Sequence, residues 1–221
     1  MFVVAISKSA WHAVGERIAS FLIAVYHTHS ERGQVKLTSS DWRDEPLAEF
    51  NLLSDRRDLE RLMQAFRMMG RLYATPVMQA VSSDPFPASY TERVRKVGVV
   101  NTRNRLMTAG IGMLLDGPAA LRSYLIHNII TEGFTFAQLM SDDEALEAFV
   151  RKAAIGTWHA SCSCRMGADG DPMAVTDNQG RVRGVEALRV VDASIFPLVP
   201  CANTNFPTLM AAEKIAYAVL N

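Results

Sequence analysis

Apolar residues recur along this chain at two spacings, and the change from one to the other marks out the elements. Val3, Val4 and Ile6 read as a strand. Residues 16–27 (ERIASFLIAVYH) form a short apolar run that fits either a helix or a buried strand. Gln34 to Thr38 alternates with a period of two after Gly33, which predicts a strand following a turn. Glu49, Phe50 and Asn51 are placed to pair with it across the turn-rich segment between them.

The spacing then lengthens. Leu59, Leu62, Met63, Phe66, Met69 and Tyr73 recur every three or four residues, one face of an amphipathic helix. Ser54 is its N-cap candidate, Asp55 and Asp58 suit the positive end of the helix dipole, and Pro76 stops it. Residues 82–89 (SSDPFPAS) read as a loop. Residues 100–116 and 119–131 are helical, broken by Asp116-Gly117-Pro118. Ser141-Asp142-Asp143-Glu144 reads as a capping box for a helix whose buried face is Leu146, Phe149, Val150 and Ala153.

From Gly156 on, small residues and turns dominate. Asp177-Asn178-Gln179-Gly180 between two short apolar stretches predicts a hairpin. Leu188 to Asp192 (LRVVD) reads as a buried strand. Pro207 suits the first turn of a closing helix that carries Leu209, Met210, Ile215 and Val219.

Composition narrows the classes. Lys+Arg and Asp+Glu are both 23, so the net charge is zero, which argues against a chain-wide nucleic-acid footprint. The longest apolar run, Ile18 to Tyr26, is about half of what a membrane helix needs, so no membrane span is expected. MFVVAISKSAW has no basic segment before its apolar run and is not read as a signal peptide. Three cysteines do not make a secreted disulfide framework, which points to the cytoplasm.

Two clusters carry candidate chemistry. In His159-Ala160-Ser161-Cys162-Ser163-Cys164-Arg165-Met166-Gly167, the histidine is either a base in a tight pocket or a packed structural residue. The same stretch offers a rival: Cys162, Cys164, His159 and Cys201 supply the ligands of a Cys₃His zinc site, although C-x-C is tighter than the usual spacing. No metal enters the preferred reading. In the second cluster, a strand ends at Asp192 and a helix opens at Asn203-Thr204-Asn205-Phe206-Pro207-Thr208. A helix start offers unpaired N–H groups to anions and cofactor edges, and the asparagines are either ligands there or simple caps.

Together the clusters resemble a known pattern. H-x-x-x-x-C-R-M-G, then R-V-x-G-V-x-x-L-R-V-V-D-A-S-x-F-P, then N-T-N-x-P-T-x-M-x-A-E-K is similar to the C-terminal signature of the glucose–methanol–choline (GMC) flavin oxidoreductases, over about residues 156–221. L-L-S-D-x-x-D-L-x-R-L within 33–75 is similar to the substrate-side domain of that family. The resemblance implies oxidation of an alcohol to a carbonyl with FAD. His159 matches the family's base, which takes the hydroxyl proton while hydride passes to flavin N5. Asn203 matches the partner that stabilises the developing alkoxide. Asp192 and Ala193 match residues that approach FAD, and Asn205, Pro207 and Thr208 would lie near the flavin.

Two departures qualify the match. The family usually has Gly-Thr where this chain has Cys162-Ser163. The G-x-G-x-x-G fingerprint that seats a dinucleotide pyrophosphate is missing. The expectation is therefore an α+β chain. Residues 1–155 form a substrate-binding domain, an antiparallel sheet with covering helices, N-terminally incomplete. Residues 156–221 carry the catalytic loop and the strand, loop and helix that complete a flavin-binding domain. Its partners would be a small-molecule alcohol and a separate N-terminal FAD-binding chain or domain. Alone it is expected to bind FAD weakly or not at all, with exposed apolar surface on its last strand and helix. A non-catalytic interaction domain is the remaining alternative.

Overall fold

The computed structural model describes residues 2–6, 18, 20–30, 33–82, 84, 92–131, 135–156 and 159–220. The chain divides into two compact units, Met1–Val25 with Leu59–Ala154, and Tyr26–Asp58 with Ile155–Asn221. The fold is α+β, with two small antiparallel sheets among many helices.

In the first unit, β1 (Phe2–Ile6) pairs antiparallel with β2 (Ser20–Ala24), Phe2 facing Ala24. The ambiguous run at 16–27 therefore holds a strand, because β1 supplies the hydrogen-bonding edge that a short apolar segment needs. Helix α1 (Arg56–Tyr73) lends this unit its length from Leu59 onward. Leu59, Met63, Ala65 and Met69 are buried, and Leu62, Phe66 and Tyr73 half-buried, the stripe that the spacing predicts. It packs on the last two of the six α-helices that follow it among the described residues of this unit. These six are α2 (Pro76–Val81), α3 (Glu92–Gly98), α4 (Thr102–Leu115), α5 (Ala119–Leu125), α6 (Phe136–Ser141) and α7 (Asp143–Ala153).

The Phe66 ring lies 5.7 Å from Phe136 and 5.5 Å from Phe149, and Arg67 pairs with Asp143. Gly70 sits at the closest approach, where a Cβ would run into the Met140 thioether and stand 3.0 Å from the Phe136 ring. Val94, Leu115 and Ile130 form a second small core under α3, α4 and the π-helical turn Ile126–Ile130 that extends α5.

Two predicted helix caps shift, and Pro76 takes a second role. The α1 cap is Asp55, whose Oδ1 accepts the Arg57 N–H at 2.8 Å, and not Ser54. Pro76 opens α2 behind the N-cap Thr75, besides following the end of α1. Ser141 caps nothing: it is the last residue of α6, with its hydroxyl bonded back to the Ala137 carbonyl at 3.1 Å. The cap of α7 is Asp142, which accepts from the N–H groups of Glu144 and Ala145. Of the predicted loop at 82–89, only Ser82 and Asp84 are among the described residues.

In the second unit, β3 (Gln34–Lys36) pairs with β4 (Leu47–Glu49), Gln34 opposite Glu49. The pairing ends two residues before the predicted Asn51, which is turned out of extended geometry at φ +49°. The predicted hairpin forms, with Thr176 bridged to Val182 and Gly180 at φ +71°. Only glycine suits that turn, since a Cβ there would stand 2.5 Å from the Val190 carbonyl oxygen.

Residues 188–192 run beside this hairpin through one bridge, Arg181 to Arg189. Leu188 and Val191 are exposed at 48% and 41%, not buried as predicted. A strand is buried by what covers its faces, and these two side chains are left uncovered. The chain closes in helix α8 (Asn205–Leu220), on which Ile215 is buried and Phe206, Leu209, Met210 and Tyr217 are exposed.

Leu146 is fully buried on α7. Leu146→Ala should cost about 2–5 kcal/mol through lost contact and an unfilled cavity. Urea unfolding should show an earlier midpoint at unchanged slope; an unshifted midpoint would mean that this core does not limit stability.

Candidate active site

The site grows from a loop without regular structure, so its geometry has to come from individual hydrogen bonds. The backbone at 162–166 lies along the 3₁₀ turn Ala193–Ile195. Cys162, Cys164 and Met166 donate their N–H groups to the carbonyls of Ala193, Ser194 and Ile195 at 3.3, 2.9 and 2.7 Å. On its other side the same segment is tied to the hairpin. Gly167 N–H reaches Thr176 O at 3.1 Å, Val175 N–H reaches Arg165 O at 3.0 Å, and the buried Thr176 hydroxyl donates to Cys164 O at 3.0 Å. Arg165 adds a two-oxygen contact to Asp171, at 2.8 and 2.6 Å.

Asp192 makes the turn itself. It is the N-cap residue, and its Oδ1 accepts the Ser194 N–H at 2.8 Å. Cys162 has φ +70°, a left-handed backbone that glycine adopts freely and other residues adopt at some cost. That is the position at which the GMC-like pattern usually has glycine.

His159 stands at the head of this loop, half-buried. Its Nδ1 lies 2.9 Å from the Thr204 hydroxyl. Thr204 immediately precedes α8, and its carbonyl accepts from the Thr208 N–H at 3.0 Å and the Thr208 hydroxyl at 2.6 Å. Its neighbour Asn203 is exposed and accepts the Tyr26 hydroxyl on Oδ1 at 2.7 Å. The amide nitrogen of Asn203 is thereby left as its donor.

The structure thus brings His159 to residue 204 and holds Asn203 one residue away. Asn205 is exposed in the first turn of α8, with Pro207 and Thr208 half-buried behind it, while Asp192 and Ala193 belong to the 3₁₀ turn.

Tyr26 belongs to a segment that the sequence reading did not connect with the site. His27 Nδ1 lies 3.3 Å from Val199 O. The N–H groups of His29 and Ser30 and the Ser30 hydroxyl all donate to the buried carboxylate of Asp58, at 2.7 to 3.0 Å. Burial alone would raise the pKa of Asp58. The His29 and Ser30 donors outweigh it and hold the carboxyl below its ordinary value.

No sequence signal links Tyr26 with Asn203, 177 residues apart. Thr204 did carry one. A threonine at an N-cap normally bonds the N–H of the second or third helical residue, and here the third is Pro207, which has none.

The zinc reading has no geometry to rest on. Cys162, Cys164 and Cys201 are free thiols, and among the described residues no three His, Cys, Asp or Glu side chains stand together as a metal site. FAD would find a more suitable set. The start of α8 presents the exposed Asn205 amide and first-turn N–H groups at the positive end of a 16-residue helix, which suits the polar edge of a flavin ring.

The sequence profile of the GMC oxidoreductases matches residues 29–212, and the chain belongs to that family. It is 36% identical over 211 residues to a 5-(hydroxymethyl)furfural oxidase of Methylovorus sp. (strain MP688), covering 95% of this chain and 33% of the relative. It is 35% identical over 185 residues to an oxygen-dependent choline dehydrogenase of Pseudomonas savastanoi pv. phaseolicola, covering 84% of this chain and 24% of the relative. The chain therefore spans about a quarter to a third of the length of these relatives. A fungal aryl-alcohol oxidase shares its fold at TM-score 0.52 and 22% identity, over 86% of this chain and 24% of that one. Among the described residues no helix is long and apolar enough to cross a membrane.

The Asp58 clamp gives a pH test. A depressed folded-state pKa contributes stability above the unfolded carboxyl's value, about 4, and loses it as pH falls through the folded value. Asp58→Asn should lose about 1–3 kcal/mol at pH 7, because a buried donor goes unmet. Urea unfolding at pH 7 and pH 3 should show the gap to the unmutated protein narrowing at the lower pH; an equal gap at both would show that the carboxylate's charge does not matter.

Proposed function

We propose that this chain is the catalytic part of an FAD-dependent enzyme that oxidises a CH–OH donor to a carbonyl. Residues 156–221 would carry the catalytic loop and the C-terminal part of the flavin domain, and residues 1–155 would shape the substrate side. The observation that carries the reading is the pair of hydrogen bonds at consecutive residues, His159 to Thr204 and Tyr26 to Asn203. They leave an imidazole nitrogen and an amide N–H as the groups for one substrate oxygen.

FAD would supply the hydride acceptor, held on the α8 side by Asn205, Pro207 and Thr208 and approached by the turn at Asp192 and Ala193. The protein's own residues handle the proton. With Nδ1 engaged, His159 Nε2 takes the proton from the alcohol hydroxyl. Asn203 Nδ2 donates to the same oxygen and stabilises the charge that develops as the O–H bond breaks. A fixed donor of this kind acts without reorganising during the reaction.

The alcohol would be of the class that the relatives' names carry, choline or a hydroxymethyl-furan. The rest of the FAD contacts would come from a further domain or chain, which the exposed apolar side of α8 supports. The three free thiols fit a reducing compartment such as the cytoplasm.

The test is turnover of those two alcohols by the FAD-loaded enzyme, this chain together with its further FAD-binding domain or chain. His159→Gln should lower kcat roughly 10²- to 10⁴-fold, as loss of a general base does. Asn203→Ala should lower it about 10²-fold, as loss of one oxyanion donor does. FAD content should stay unchanged in both. Full turnover by His159→Gln would overturn the assignment.

A further inference from the structure

The resemblance assigns Thr204 no role, yet its hydroxyl makes the one hydrogen bond among those described that reaches the His159 ring. Resting on the proposed role of His159, we infer that Thr204 is a positioning residue that fixes the histidine tautomer, accepting a proton-bearing Nδ1 so that Nε2 stays unprotonated toward the substrate.

The argument begins with the helix start. Thr204 is the N-cap residue of α8, and its carbonyl already takes the Thr208 N–H and hydroxyl. A cap hydroxyl is drawn onto the second or third helical N–H, and here the described bond of the Thr204 hydroxyl goes to His159 and not to Phe206. Pro207 occupies the third place and has no N–H to give. The oxygen is therefore available to a donor outside the helix, and His159 Nδ1 stands 2.9 Å away.

A neutral imidazole carries one N–H, so whichever nitrogen donates to Thr204 decides which one is left as a base. The proposed role of His159 sets the direction: Nε2 acts as a base only when Nδ1 carries the ring proton, and the Thr204 hydroxyl oxygen is the acceptor within reach of it. The bond also restrains the ring of a histidine that is hung from a loop. Serine at 204 would preserve the contact, and valine, of nearly the same shape, would remove it.

The experiment labels histidine with ¹⁵N in the FAD-loaded enzyme, this chain with its further FAD-binding domain or chain, and reads the two ring nitrogens of His159 by long-range ¹H–¹⁵N correlation above the histidine pKa. His159→Gln identifies the resonance. In the unmutated protein Nδ1 should show a protonated-type shift and Nε2 an unprotonated one. Thr204→Ser should keep that pattern. Thr204→Val should give a mixed or reversed pattern, with kcat reduced roughly tenfold to a hundredfold and KM little changed.

Protonated Nε2 in the unmutated protein, or an unaltered pattern in Thr204→Val, overturns the inference. The shifts do not depend on turnover. If His159→Gln oxidises alcohols normally, the general-base role fails while the tautomer question is still decided by the nitrogen shifts.

Discussion

The site depends on a single backbone step, the one from Asn203 to Thr204. Each of these residues gives one side-chain oxygen to a partner distant in sequence, Tyr26 in one case and His159 in the other. Because they are consecutive, both partners are tied to one short stretch of backbone. The step is also the entry to α8, so its position is fixed by a helix of 16 residues and not by the loop alone. Losing that helix start would release both partners at once.

Behind this step lies a loop fixed by backbone hydrogen bonds instead of a sheet. Three N–H groups of 162–166 meet three successive carbonyls of 193–195, and the buried Thr176 hydroxyl closes the far side. Asp192 contributes indirectly, by capping the turn that presents those carbonyls. The left-handed Cys162 shows why glycine is the easier residue there and why the loop still forms with a small side chain. Tyr26 needs a support of its own. The buried Asp58 carboxylate provides it by gathering the donors of residues 29 and 30, so a charge at the start of α1 helps to hold a phenol against an amide near the end of the chain.

The parts of this arrangement that were legible in the sequence are those with local causes. The α1 stripe follows from three- and four-residue spacing, the break before α5 from Asp116-Gly117-Pro118, and the Gly180 turn from its composition. Cap positions were less legible, because Ser54 and Ser141 are as good by residue type as the aspartates beside them. Only the surrounding hydrogen bonds separate them, such as the bond from the Ser141 hydroxyl back to Ala137. The burial of 188–192 was misjudged for a related reason: an apolar run states a capacity for burial, and coverage comes from neighbours. Tyr26 was invisible, since nothing local marks a tyrosine whose partner is Asn203. Thr204 was half visible, through the missing N–H of Pro207.

The most direct measurement is a crystal structure of the FAD-loaded protein with a bound alcohol or an unreactive analogue of one. The account predicts the hydroxyl oxygen within hydrogen-bond reach, about 2.6–3.2 Å, of both His159 Nε2 and Asn203 Nδ2, with Thr204 still on Nδ1 and Tyr26 still on Asn203 Oδ1. An alcohol oxygen held by other groups, with neither His159 nor Asn203 in contact, would contradict it.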